Sequence, residues 1–181
     1  MRNRTITQGV LCCIVLLLAA CGGTTTPTPA PSPDNQPTGT GEYVPIAEAE
    51  CTALRQSLAV VLGVEVDQGT SPFEDYAVGG RGTGCLLKAT GTGVNFPSII
   101  GLVSDIQFML EDMGYVLDIR YAADGPTGTA FALRQDIRLV LVGVMWTPSA
   151  DANCPQDKPI TECGLKPEQM LYTIPVRAAQ K

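Results

Sequence analysis

The chain is predicted to fold as an α+β domain: two helices on one face of a mostly antiparallel sheet of about five to six strands. Three observations lead there. Two stretches show apolar residues at alternating spacings of three and four, and each ends at a glycine. The remaining apolar runs are short, follow a period of two and are separated by Gly-, Pro- and Asp-rich turns. The helices stand apart from the strand pairs, which favours α+β over a wound parallel sheet.

The elements follow in order. Pro45 to Leu62 reads as the first helix, with Ala47, Cys51, Leu54, Leu58 and Val61 on one face. Pro45 suits the first turn and Gly63 the left-handed position past the last. Val64-Glu65-Val66 begins a strand, and a Gly-, Asp- and Pro-rich loop runs on to about Gly82. Thr83 to Thr90 is the next strand, with Cys85, Leu87 and Ala89 on one face. Pro97 to Met113 is the second helix, with Ile99, Leu102, Val103, Ile106, Met109, Leu110 and Met113 as its stripe, and Gly114 stops it. Tyr115 to Tyr121 reads as a strand, and residues 123–128 as a turn. Thr129 to Arg134 and Ile137 to Thr147 are two strands joined near Gln135-Asp136. Leu139 to Trp146 is apolar on both faces, which places that strand centrally. Tyr172 to Arg177 is expected to close the sheet at an edge, because Pro175 lacks a ladder donor. The halves echo each other: Leu62-Gly63-Val64 parallels Met113-Gly114-Tyr115, which raises the idea of two αββ repeats. Helix–strand–strand units of this kind resemble small exported modules such as PepSY domains and the β-lactamase inhibitory proteins, a likeness of fold alone.

Ahead of this domain (43–181) lie two segments of different character. Residues 1–20 have a basic start (Arg2, Arg4), an apolar core from Val10 to Leu18 and small residues Ala19 and Ala20. The apolar run is too short to span a bilayer as a helix. Leu18-Ala19-Ala20-Cys21 reads as a lipobox, and the pattern resembles the bacterial lipoprotein class. That resemblance implies a diacylglyceryl group on the Cys21 thiol, acylation of its freed amine and loss of residues 1–20. Two or more acyl chains hold a protein stably to a membrane. The expected location is therefore the outer side of the cell membrane, or the outer membrane in a two-membrane cell. Residues 21–42 then form a Thr-, Pro- and Gly-rich tether with no aliphatic residue larger than Ala, no aromatic and no basic residue. Such a segment does not bury enough apolar surface to order itself. Extended, it reaches about 65 Å at roughly 3.1 Å per residue.

Composition narrows the chemistry. Removing Arg2 and Arg4 leaves 10 basic against 18 acidic residues, a net charge of −8. This argues against nucleic acid and against electrostatic attachment to anionic lipid. The chain has no histidine, which excludes Ser-His-Asp and Cys-His catalysis and histidine metal sites. No S-x-x-K motif occurs. Cys12 and Cys13 leave with the leader. Cys51, Cys85, Cys154 and Cys163 read as a disulfide framework in an exported chain. Cys154 and Cys163 bracket a polar loop with two prolines, which pairs them and leaves Cys51 with Cys85, helix to strand. A four-thiolate zinc site is disfavoured because the paired C-x₂-C knuckles are missing. No metal or other cofactor is expected.

Several motifs have bland explanations. Gly79-Gly80-Arg81-Gly82-Thr83-Gly84 looks like a phosphate cradle, but a strand follows it where a helix is needed. Gly91-Thr92-Gly93 lacks the third glycine of a dinucleotide fingerprint. Glu111-Asp112 reads as a solvated helix face. Glu74 and Asp75 lie in a loop where acid–base work is conceivable. Asp151, Asn153 and Asp157 lack calcium-loop spacing. Trp146, Tyr76 and Tyr121 are conceivable as a sugar- or peptide-binding shelf, but Trp146 ends a central strand and reads as core. The expectation for function is a non-catalytic binding module for a protein, peptide or cell-wall ligand. The alternatives are a structural envelope component or a carboxylate-dependent hydrolase. The contact surface is expected in the two long connections, 67–82 and 148–167, and at the sheet edge. Phe73 and Tyr76 are the candidate anchors, since aromatics dominate binding energy. The competing role for both is to fold back over the sheet.

Overall fold

A computed structural model describes residues 42–155 and 157–181. The leader, the lipobox with Cys21 and most of the tether lie outside the described residues. The domain is α+β with an antiparallel sheet, and it has eight strands rather than five to six.

In chain order the elements are β1 (Val44–Pro45), α1 (Glu48–Leu62), β2 (Val66–Glu74), β3 (Arg81–Thr92), α2 (Ile99–Asp112), β4 (Val116–Leu117), β5 (Ala123–Gly125), β6 (Gly128–Gln135), β7 (Arg138–Pro148) and β8 (Met170–Gln180). The sheet runs β2-β3-β8-β7-β6-β4, with β1 on β8 and β5 on β6. Both helices lie on one face. Cys51, Leu54, Leu58 and Leu62 of α1 and Leu102, Ile106, Met109 and Leu110 of α2 are buried. They pack on Leu87, Val140, Val142, Val144, Ile174 and Val176 in the main core. Gly63 ends α1 in the left-handed conformation, with φ 64°. Ser98 caps α2 by accepting from the Gly101 N–H at 3.1 Å.

Three expectations are corrected. The strand after α1 does not give way to a loop; β2 continues to Glu74 in full register with β3, Val66 to Ala89 through Glu74 to Arg81. Asp67 to Thr70 are all exposed, so this edge strand shows no apolar alternation there; its ladder to β3 and the burial of Val66 and Phe73 near its ends hold it. The predicted 67–82 loop thus shrinks to the turn between Glu74 and Arg81. Second, Tyr115 to Tyr121 is not one strand. Only Val116 and Leu117 pair with β6. Asp118 then accepts from the Arg120 N–H and opens a 3-10 turn over Ile119–Tyr121, which directs Tyr121 to the far side of the sheet. Third, β8 is central, between β3 and β7. Pro175 is tolerated because the β7–β8 ladder is broken beside it: pairing stops at Val142–Val176 and resumes at Met145–Thr173. The missing donor falls in that gap, and a Cβ on Gly143 would meet the proline ring at 3.4 Å.

The first helix is followed by one hairpin, β2–β3. The second is followed by β4, the 3-10 turn, β5 and then β6, β7 and β8. The two disulfides are Cys51–Cys85, which ties α1 to β3, and Cys154–Cys163, which closes the loop before β8. Their Cα separations are 6.2 Å and 5.3 Å.

Candidate functional site

The sheet face away from the helices has its own smaller core, and its origin lies at β1. The Tyr43 N–H donates to the Arg81 carbonyl at 3.0 Å, and the Thr83 N–H donates to the Tyr43 carbonyl at 3.1 Å. Val44 and Pro45 pair with Gln180 and Ala179 of β8. β1 thus wedges between β3 and β8 at one end and splays the β2–β3 hairpin away. Gly82 makes the wedge possible: a Cβ there would stand 1.9 Å from the Tyr43 carbonyl oxygen. The splayed hairpin end curls across the helix-free face. Phe73 packs on Tyr43 with ring centroids 4.8 Å apart. Both join Tyr121, Ala132, Leu139 and Ala179 in the second core.

Asp75 fastens this curl. It is fully buried. Its carboxylate accepts from the Tyr43 hydroxyl at 2.5 Å and the Tyr121 hydroxyl at 2.5 Å. The Val78 N–H donates to it at 3.2 Å, closing the turn. Arg134 on β6 stands 3.6 Å from it and donates to the Tyr121 hydroxyl at 3.0 Å. Arg134 also lies 3.5 Å from Asp118, which holds Arg120. One carboxylate therefore joins β1, the β2–β3 turn, the 3-10 turn and β6. Burial pushes the Asp75 carboxyl up. The hydroxyls of Tyr121 and Tyr43, the Val78 N–H and the Arg134 charge outweigh it, and the group sits below the ordinary carboxylate range. Burial and the bond to Asp75 push the Tyr43 phenol up to about 12, and Tyr121 rises for the same reasons. Arg120 donates to Asp118 and lowers its carboxyl to about 2. All of these groups keep one charge state through the neutral range.

Beside the clasp, between the curled hairpin and β6–β8, the face is open. A depression of about 370 Å³ is lined by Tyr76, Leu141, Met145 and Pro175, with Glu74 and Arg177 at its rim. That volume falls in the lower range of small-ligand pockets. Tyr76 is 58% exposed and Met145 47%. The Tyr76 hydroxyl donates to the Tyr121 carbonyl at 3.1 Å, and its ring meets Tyr121 edge-on at 5.1 Å. The aromatic is thus presented to solvent while anchored at its tip.

The sequence candidates separate cleanly. Phe73 is 1% exposed and belongs to the second core, so it is corrected from a contact residue to a packing residue. Tyr76 remains at the surface. Of the acid pair, Glu74 is exposed and bonds Arg81, whereas Asp75 is the clasp. Trp146 is buried in the main core. Gly79 and Gly80 have positive φ, and the turn bonds to itself: Asp75 N–H to the Gly80 carbonyl and Gly79 N–H to the Asp75 carbonyl, each at 2.9 Å. Gly93 is packed under Pro167 and donates to its carbonyl at 2.8 Å. Neither glycine run is arranged as a phosphate cradle. Of the aromatic shelf read from the sequence, Tyr76 and Tyr121 do meet, but Tyr121 is buried in the second core and Trp146 in the main one. Sequence reasoning missed Tyr43 and Arg134, and it missed the role of Tyr121 as a partner of Asp75. Their partner Asp75 is 32 and 46 residues from the two tyrosines, and no local spacing signals such a cluster. No family model, curated protein or solved structure matches the chain.

Proposed function

We propose that this protein is a membrane-tethered, non-catalytic binding module. It is anchored by a lipidated Cys21 outside the cytoplasm and takes a protein, peptide or cell-wall ligand on its helix-free sheet face. The carrying observation is the contrast on that face. The buried carboxylate that acid–base chemistry would use has its acceptors filled and its proton affinity lowered, which suits a fastener rather than a general base near neutral pH. Next to it, an apolar depression with a presented tyrosine stands open. Rigid scaffolds with exposed aromatics suit recognition, because little conformational freedom is lost on binding. Two disulfides favour an oxidising compartment, in keeping with export.

The test is site-directed photocrosslinking in intact envelopes. Met145→p-benzoylphenylalanine places the probe in the depression. Ile137→p-benzoylphenylalanine places it at the exposed β6–β7 turn. A product formed from position 145 and not from 137 is expected. Crosslinks that are absent from 145, or equal at both positions, contradict the reading. So does a purified protein that turns over a cell-wall or peptide substrate.

A further inference from the structure

The helix layer presents a second surface, unrelated to the depression above. Between α1 and α2 runs an open groove of about 520 Å³, lined by Val61, Asp105, Phe108, Met109, Asp112 and Met113. Phe108 is 63% exposed, and the neighbouring Val60 is 83% exposed. Burying a Phe side chain is favourable, so a helix that turns one to solvent leaves that gain for a partner. The rim has one sign. Together α1 and α2 carry five acidic residues and one basic residue, and α2 has no basic residue at all. Among the described residues, neither Asp105 nor Asp112 has an ion-pair partner.

Charge decides the occupant. A second copy packed by two-fold symmetry would set Asp105 and Asp112 against their own symmetry mates, without counter-charges. An anionic lipid surface would be repelled by the same rim. Residues 22–42 of this chain contain no Lys or Arg, so the tether does not complement it. What fits is a cationic amphipathic segment of another polypeptide. Its apolar face would cover Phe108, Met113 and Val61 above the buried Met109 floor, and its Lys or Arg side chains would reach Asp105 and Asp112. The geometry points to the α1–α2 groove as a docking site for such a basic helix, laid along α2 in the helix-in-groove manner. This goes beyond the sheet-face reading, and either can fail without the other.

The methionines provide the test. Met109 and Met113 line this groove, Met145 lines the sheet-face depression and Met170 begins β8. The full-length protein with ¹³C-methyl methionine, in zwitterionic nanodiscs, is titrated with a ~14-residue Leu/Lys amphipathic helix. That peptide is ~21 Å long, matching α2. The counterpart is the same peptide with Glu for Lys. Expected are saturable shifts at Met109 and Met113 with Met145 and Met170 unmoved, and no shifts with the Glu peptide. Phe108→Ala and the double variant Asp105→Asn/Asp112→Asn should each weaken binding about tenfold, and added salt should weaken it further. Silent Met109 and Met113 methyls would overturn the inference. Equal response to the Glu peptide, or affinity unchanged in both variants, would do so too.

Discussion

Asp75 has more partners than any other side chain on the helix-free face, and its energetics follow from them. Replacing it with Asn takes from Arg134 the buried one of its two carboxylates, leaving only Asp118 as counter-charge, and removes the charged acceptor of two buried phenols. It also sets an amide N–H₂ where one tyrosine hydroxyl now donates. Asp75→Asn is expected to cost about 3 kcal/mol in urea unfolding at neutral pH. The pH dependence follows from the directions of shift. A carboxyl lowered on folding stabilises fully above its unfolded value of about 3.9, and that contribution is lost as pH falls towards the folded value. A phenol raised to about 12, as for Tyr43, stabilises fully below its unfolded value of about 10, and that is lost as pH rises through 12. The clasp therefore adds no slope between roughly pH 5 and 9. In Asp75→Asn the acid limb of the stability profile should flatten, and an unchanged acid limb would remove Asp75 from this role. The two aromatics near it should also part company. Phe73→Ala should cost about 3–5 kcal/mol as a core truncation, while Tyr76→Ala, at the surface, should cost under about 1 kcal/mol. The sequence could not separate them. Phe73 lies near the end of β2 and Tyr76 in the turn just after it, inside one stretch that reads as loop, and only the burial created beside β1 tells them apart.

At the scale of elements, what the sequence declared was what obeys a local rule. Both helices, their glycine stops and the apolar β7 follow from periodicity and turn chemistry. So do the cysteine pairings, which need only one helix face, one strand face and one short loop. What stayed hidden depends on distant partners. β2 is an edge strand whose exposed Asp67 to Thr70 look like loop. β8 is central although Pro175 argues for an edge, because the ladder gap at Gly143 and Val144 is set by a strand some 30 residues earlier, a separation that sequence periodicity does not register. The two disulfides should differ in weight. Loop-closure entropy gives about 4 kcal/mol for the 34-residue separation and about 3 for the 9-residue one. Cys51–Cys85 also joins two core elements. Replacing Cys51 and Cys85 by Ala should lower the denaturation midpoint more than replacing Cys154 and Cys163. The reverse order would show that the loop before β8 governs stability.

For the whole molecule, the proposal joins three parts with different physics. The anchor acts through acyl chains, the tether through its length, and the domain through its two open surfaces. Cys21→Ala is expected to remove lipid mass from the protein and move it out of the detergent phase in phase partition. A wild-type mature N-terminus free of lipid by mass spectrometry would end the anchoring proposal. The central claim is that the domain works by binding on its helix-free face, and affinity measures it most directly. The ligand recovered by crosslinking from position 145 is titrated against wild type and Tyr76→Ala, with thermal unfolding followed in parallel. The account predicts at least a tenfold loss of affinity, about 1.4 kcal/mol, with a melting curve close to wild type. Equal affinity for the two proteins would contradict it.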